Sequence, residues 1–112
     1  ALGSLPGITV PPRPAWALPT LWLYSVLIDP ATTGIDRKWL LEQLAARGIQ
    51  TRPVWAPAHV MPFYRDAPRL GGAAGDRLFA QGLSLPCGTG LTDADQDRVI
   101  DAVFSALRLN VR

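Results

Sequence analysis

The sequence predicts an α+β domain of two layers, in which a small three-stranded sheet carries its helices on one face. The run Leu21–Ile28 has the length and the aromatic and β-branched content of a buried strand. Apolar residues recur at helical spacing after Asp36 and after Thr92. The predicted order is strand, helix, strand, long loop, helix, strand, helix, which fits a two-layer domain. The sheet is either mixed or antiparallel, and we favour the antiparallel arrangement.

The composition is that of a single globular domain. The chain has 112 residues, of which 48% are hydrophobic and 18% charged, too apolar for a disordered chain. The net charge is +2, and the arginines are scattered from Arg13 to Arg112 without forming a basic stripe. We therefore expect no nucleic-acid partner.

The single cysteine, Cys87, excludes an internal disulfide and fits a reducing compartment, so we expect a cytoplasmic protein. The longest uncharged run, 14–28, contains two prolines and is too short for a bilayer, so we expect no membrane partner. With one His and one Cys, a zinc site of the usual ligand set is excluded.

Prolines are frequent at the start of the chain and predict an extended lead-in. We divide the chain into a proline-rich lead-in or linker, 1–20, and a domain, 21–112. The lead-in is either a linker from an upstream domain or an N-terminal arm.

The first helix is predicted to follow Asp36, a good N-cap, with Leu40 and Leu44 on its apolar face. Gly48 suits the position just after the helix. A second, short strand is expected at Ile49–Val54. Asp29, followed by a proline, is expected to end the first strand.

The second half of the chain alternates helix and strand signals. A short helix is predicted at Ala73–Gln81, and a third strand at Leu83–Leu85. Thr92 and Asp95 form a weaker version of the capping box at the start of the last helix. Its apolar stripe consists of Val99, Ile100, Val103, Phe104 and Leu107.

The segment Thr51–Tyr64 predicts an ordered, extended loop, because its three prolines restrict the backbone. It carries the only histidine, His59, which is either a ligand-binding or acid–base residue or a packing residue. Arg52 suits an anion, and Trp55 and Tyr64 suit the wall of a cleft. A solvated arginine and aromatic side chains that pin the loop are the simpler interpretations.

Other chemistry has weak support in the sequence. A nucleophilic Cys87 with His59 as its base lacks a third, orienting group. The turn Pro86–Gly90 lacks the length and the lysine of a phosphate loop. Lys38 is a poor candidate for a Schiff-base lysine, because it lies in the first turn of a helix, away from the loop.

Taken in order, several short motifs resemble one protein family. They are Gly34-Ile35-Asp36-Arg37, Arg47-Gly48-Ile49, Thr51-Arg52-Pro53, Trp55-Ala56-Pro57-Ala58-His59, Met61-Pro62-Phe63-Tyr64, Gly82-Leu83-Ser84-Leu85-Pro86 and Asp95-Gln96-Asp97-Arg98-Val99-Ile100. Over nearly its whole length the chain resembles the C-terminal small domain of the DegT/DnrJ/EryC1/StrS aminotransferases, which are pyridoxal-phosphate-dependent sugar aminotransferases.

The resemblance implies a parent enzyme of fold type I that moves an amino group, usually from glutamate, to a nucleotide-linked keto-sugar. It implies a homodimer and an N-terminal large domain that holds pyridoxal phosphate. The Schiff-base lysine belongs to that large domain, so we assign no catalytic or cofactor residue to this chain and expect the isolated fragment to be inactive. Arg52, His59 and Tyr64 become candidate substrate contacts.

Two other interpretations stay open. One is a non-catalytic binding or interaction module of the same shape, since a fold does not determine a function. The other is a domain of a pyridoxamine-phosphate-dependent sugar dehydratase of the same family, in which the Schiff-base lysine is replaced.

Overall fold

Four short antiparallel strands form one sheet in the computed structural model, which describes residues 1–109. They are β1 (Ile8–Thr9), β2 (Tyr24–Ile28), β3 (Arg52–Pro53) and β4 (Gly82–Leu85). Their order across the sheet is β1-β2-β4-β3, so the two longer strands are central and the two-residue strands lie at the edges. The antiparallel prediction is confirmed.

The prediction of three strands is wrong, because β1 lies in the segment expected to be an extended lead-in. Ile8 pairs with Ile28, and its side chain is buried in the core. Leu2, in a preceding 3-10 turn, is buried as well. A two-residue edge strand has too short a pattern to be read from sequence, and its pairing depends on contact with β2.

The first predicted strand is shorter than expected and is fully buried on one face only. Leu21 has a left-handed backbone, φ 50°, which interrupts the extended run, and Trp22 is 74% exposed. Val26 and Ile28 point into the core. Ser25 lies on the other face, where its hydroxyl is hydrogen bonded to that of Ser84 at 2.8 Å.

Four helices accompany the sheet: α1 (Pro30–Thr33), α2 (Arg37–Ala45), α3 (Ala73–Gln81) and α4 (Asp93–Leu109). The short α1 was not predicted. Asp29 ends β2 as expected, but its carboxylate also accepts a hydrogen bond from the backbone N–H of Ala31 and so caps α1.

Both ends of α2 confirm the sequence signals. The Asp36 carboxylate accepts a hydrogen bond from the Trp39 backbone N–H at 2.8 Å. Gly48 has φ 71°, and the backbone N–H of Ile49 donates to the Leu44 carbonyl at 2.9 Å. This is the hydrogen-bond pattern of a Schellman motif, which turns the chain out of the helix.

The strand predicted at Ile49–Val54 is limited to the two residues of β3. Ile49 follows the turn after α2, and its side chain is buried in the core outside the strand. Pro53 is tolerated because β3 is an edge strand. Next to β3, Gly82 packs closely against Val54 and the Leu78 carbonyl group. A Cβ on Gly82 would lie 2.4 Å from Cγ2 of Val54 and 2.5 Å from the Leu78 carbonyl oxygen. Glycine therefore allows α3, β4 and the chain after β3 to meet at this point.

The capping pair of α4 is present. The Asp95 backbone N–H donates to Thr92 Oγ1 at 3.1 Å, and Thr92 Oγ1 donates to the Asp95 carboxylate at 2.6 Å. The hydrogen bonds that the Thr92 hydroxyl and backbone N–H donate to the Asp95 carboxylate lower the pKa of Asp95 below its ordinary value. The stripe on α4 packs as predicted: Val99, Val103 and Leu107 are buried, while Ile100 and Phe104 pack at the edge of the core.

One hydrophobic core joins the sheet to the helices. Its members from the strands and helices include Ile8, Val26, Ile28, Leu40, Leu44, Leu83, Leu85, Val99, Val103 and Leu107. α2 and α4 also contact each other directly, and Arg98 of α4 donates to the Arg47 carbonyl just beyond α2 at 2.6 Å. None of the helices within residues 1–109 combines the length and the apolar character that a membrane span requires.

Replacing Ile8 by Ala tests whether the start of the chain is part of the folded domain. Ile8 is 6% exposed, so its truncation should lower the free energy of unfolding by about 2–5 kcal/mol, as measured by urea denaturation. Leu18→Ala is the matched control, because Leu18 is 97% exposed and should change stability by less than about 0.5 kcal/mol. Equal, small effects of the two substitutions would contradict the role of β1 in the core.

Candidate functional site

The segment Thr51–Tyr64 is ordered but is less extended than predicted. After β3 the chain forms two successive 3-10 turns, Ala58–Val60 and Pro62–Tyr64, separated by Met61 in an extended conformation. Pro62 occupies the first position of the second turn, where its fixed φ and missing N–H are compatible with a helical turn. The prolines thus select short turns as well as extended backbone.

His59 is held by a charged network that joins the first 3-10 turn to α3. Its Nε2 lies 2.5 Å from Oδ1 of Asp76, in the first turn of α3. Oδ2 of Asp76 accepts a hydrogen bond from the Arg69 guanidinium, also at 2.5 Å. Arg69 Nε donates to the Gly71 carbonyl at 3.0 Å. Both oxygens of one carboxylate therefore fix the loop against the helix.

This network lowers the pKa of the Asp76 carboxyl below its ordinary value of 3.8. The hydrogen bond from His59 is the largest cause; desolvation, the next largest, opposes it, and the hydrogen bond and positive charge of Arg69 add to the lowering. Since the folded-state pKa is depressed, the network contributes stability above pH 3.8 and loses it as the pH falls through the folded-state pKa.

The other two predicted site residues lie near His59 in the sequence but are not joined to it. Arg52 is exposed on β3, and Tyr64 is 53% exposed at the end of the second 3-10 turn. Within residues 1–109, no hydrogen bond or ion pair links Arg52, His59 and Tyr64 to one another. The structure therefore shows three side chains on one segment, of which His59 is rigidly held.

Asp76 and Arg69 were missed by the sequence analysis. Asp76 lies 17 residues beyond His59, on a helix that was predicted correctly but that gave no sign of facing the loop. A single histidine in a proline-rich loop was the only available signal, and it did not indicate a partner.

Two tryptophans that are distant in the sequence, Trp22 and Trp55, meet on the surface. Their ring centroids are 6.3 Å apart with a tilt of 50°, a separation at which aromatic rings attract each other. Nearly all large exposed apolar side chains fall in the two segments that this pair connects, 16–23 and 55–70. They are Trp16, Leu18, Trp22, Leu23, Trp55, Val60, Met61, Phe63, Tyr64 and Leu70. We call these side chains the apolar surface.

A cavity of about 450 Å³ lies between the N-terminal segment and the chain after β4, with Arg13, Tyr24 and Cys87 among its lining residues. The thiol of Cys87 donates to the Trp22 carbonyl at 3.2 Å. Among residues 1–109, the Cys87 thiol bonds to this carbonyl and not to His59, so no Cys87–His59 pair of the kind that nucleophilic catalysis uses is present.

A family comparison identifies the chain. Residues 1–104 match the model of the DegT/DnrJ/EryC1/StrS aminotransferase family. The chain belongs to this family.

Named relatives and solved structures are consistent with that membership. This aminotransferase-family chain is 31% identical to EpsN of Bacillus subtilis, named as a pyridoxal phosphate-dependent aminotransferase, over 93% of the chain and 27% of EpsN. It is 38% identical to GDP-perosamine synthase of Caulobacter vibrioides, over 77% of the chain and 23% of the relative. The crystal structure of DesI with its TDP-sugar product superposes with a TM-score of 0.84 at 37% identity, over 97% of the chain and 28% of DesI. The chain thus spans about a quarter of the length of these relatives.

The residues present do not fit a pyridoxal-phosphate site by themselves. The cofactor needs a sheltered amine, and the only lysine, Lys38, is exposed in the first turn of α2. Within residues 1–109, no group of three or more His, Cys, Asp or Glu side chains is arranged to hold a metal ion. This aminotransferase-family domain therefore offers no sheltered amine to which the cofactor could be attached.

The charged network predicts a measurable titration of Asp76. In an NMR pH titration of the carboxyl carbons, the Asp76 midpoint should lie below 3.8. His59→Gln and Arg69→Ala should each raise it, since each removes a group that stabilises the carboxylate. The substitution Arg65→Ala, on the same segment, is the control and should leave the midpoint unchanged. A wild-type midpoint at or above 3.8 would refute the network in solution.

Proposed function

We propose that this chain is the C-terminal small domain of a pyridoxal-phosphate-dependent aminotransferase that acts on a nucleotide-linked keto-sugar, with glutamate as the amino donor. The match to the family over residues 1–104 carries the proposal. Support for the substrate class comes from the relatives, since one is named for a GDP-linked sugar and another structure contains a TDP-sugar product.

In this proposal the cofactor and its lysine belong to an N-terminal large domain of the parent protein. Bound pyridoxal phosphate supplies an electron sink for amino transfer. The present chain supplies one wall of the substrate site, and the lone exposed lysine of this chain agrees with that division.

Arg52, His59 and Tyr64 are the proposed substrate contacts on this wall. The Arg52 guanidinium has no hydrogen-bond or ion-pair partner among residues 1–109, and its planar fork of donors suits the diphosphate of a nucleotide sugar. His59 offers one polar ring edge in a fixed position. Tyr64 offers an exposed ring and hydroxyl.

The apolar surface supports the proposal that this domain is covered in the parent, by the large domain and by the second subunit of a homodimer. Phe63 is 95% exposed, and the rings of the Trp22–Trp55 pair are exposed as well. Exposed aromatic side chains that pack on one another, as Trp22 and Trp55 do, form the kind of apolar patch that marks a contact surface in soluble proteins. The cytoplasmic location expected from the single cysteine stays a prediction.

The proposal is tested with the protein encoded by the complete open reading frame. We expect it to bind pyridoxal phosphate and to aminate a nucleotide-linked keto-sugar with glutamate. Mass spectrometry of the sugar product detects the amination. The 112-residue chain should show neither saturable cofactor binding nor turnover. Removal of a sugar oxygen without amination would favour the dehydratase instead. If the complete protein had no large cofactor domain, both enzyme proposals would fail and the interaction module would be favoured.

Replacing His59 by Ala in the parent protein tests the role of the loop. We expect kcat/KM for the nucleotide sugar to fall by about tenfold or more, since a lost hydrogen bond to substrate is worth about 1–3 kcal/mol. The melting temperature should fall only modestly, because Asp76 loses His59 but keeps its hydrogen bond from Arg69. Val60→Ala, in the same 3-10 turn, is the control for local packing. A large drop in melting temperature with normal activity of the folded fraction would make His59 a structural residue.

A further inference from the structure

The contact between His59 and Asp76 determines which ring nitrogen carries the proton. An ionised carboxylate only accepts hydrogen bonds, and the lowered pKa of Asp76 keeps its carboxyl ionised at neutral pH. Because His59 Nε2 lies 2.5 Å from Oδ1 of Asp76, it must be the donor of that hydrogen bond. A neutral His59 is therefore the Nε2–H tautomer, and its lone pair is on Nδ1.

Arg69 prevents the carboxylate from changing its orientation. Its guanidinium occupies the second oxygen, Oδ2, and its Nε is anchored on the Gly71 carbonyl just before α3. Asp76 is thus held between a loop cation and the imidazole. The charged groups that face His59 are Asp76 from α3 and Arg69 from the segment before it. Because Arg69 fixes the second oxygen, the carboxylate cannot rotate freely, and its hydrogen bond to Nε2 holds the ring in one orientation.

The remaining ring nitrogen of His59 is open to solvent. Nδ1 has no hydrogen-bond partner within residues 1–109. The buried side-chain polar atoms that lack a partner in this part of the chain are one guanidinium nitrogen of Arg37 and Oγ1 of Thr51. Nδ1 is not among them, so solvent reaches it, in agreement with the 20% exposure of the side chain.

We propose that Asp76 and Arg69 are positioning residues that hold His59 as the Nε2–H tautomer, so that Nδ1 accepts a hydrogen bond from a hydroxyl group of the bound sugar. The ligand part rests on the proposed function, whereas the tautomer part does not. A neutral imidazole with this tautomer presents an acceptor and no donor on its free edge. It therefore suits a sugar hydroxyl, which has a hydrogen to donate, and does not suit a phosphate oxygen.

The tautomer is measured directly, because His59 is the only histidine of the chain. Two-bond nitrogen–proton NMR spectra, recorded where the ring is neutral, should show Nε2 protonated in the wild-type chain. Asp76→Asn should shift the population toward the Nδ1–H tautomer, since an amide can either accept or donate. Arg69→Ala should shift it less. Asp66→Asn, on the same exposed segment, is the matched control and should have no effect.

Two outcomes overturn the tautomer assignment: an Nδ1–H tautomer in the wild type, or the same population in Asp76→Asn as in the wild type. If a variant of the 112-residue chain does not give dispersed backbone spectra, the same measurement is made in the parent protein with labelled histidine. His59→Gln then identifies the signal.

Kinetics in the parent protein test the ligand part. Asp76→Asn should lower kcat/KM for the nucleotide sugar by about tenfold, and Asp76→Glu, which can still accept from Nε2, should restore part of it. A substrate analogue lacking the contacted hydroxyl should show a smaller loss in Asp76→Asn than the full substrate does. Unchanged kcat/KM in Asp76→Asn, together with an altered tautomer, would overturn the sugar contact. A parent protein that transfers no amino group, with the tautomer as expected, would instead refute the proposed function.

Discussion

The pairing of β2 with β4 is the constraint on which the rest of the domain depends. Val26 lies opposite Leu83, and Tyr24 opposite Leu85, so one face of two central strands supplies the middle of the core. The edge strands attach to this pair, and the buried side chains of α2 and α4 pack in the same core. The candidate site depends on it as well, because α3 runs without a loop into β4 at Gly82. The position of Asp76 therefore follows from that of β4.

The chain after β3 is held to the same strand from the other side. The Val54 backbone N–H donates to the Gly82 carbonyl, and a side chain at residue 82 would collide with Val54. From there the chain enters the 3-10 turns that carry His59. The loop that carries His59 and the helix that carries Asp76 are thus both fixed at Gly82, although they are distant in sequence. This explains how the two side chains reach hydrogen-bond distance.

Much of the fold was predictable wherever the signal is local. The bounds of α3, the caps at Asp36 and Thr92, and the turn at Gly48 each depend on residues within a few positions of one another. β1 was not predictable, because Ile8 is a strand residue only by virtue of its contact with Ile28. The left-handed Leu21, which shortens β2, also lacks a local signal, since leucine rarely adopts that conformation.

The sequence by itself determined the class of the domain, the family to which it belongs and the segment in which to look for a site. Those properties follow from short-range patterns and from the order of short motifs. Only the tertiary structure decided what His59 contacts, because Asp76 and Arg69 reach it through the packing of α3 beside the loop. It also decided that the tryptophans Trp22 and Trp55 lie together in water. The physical reason is that hydrogen bonds and ring contacts act over a few ångströms in space, whatever the separation along the chain.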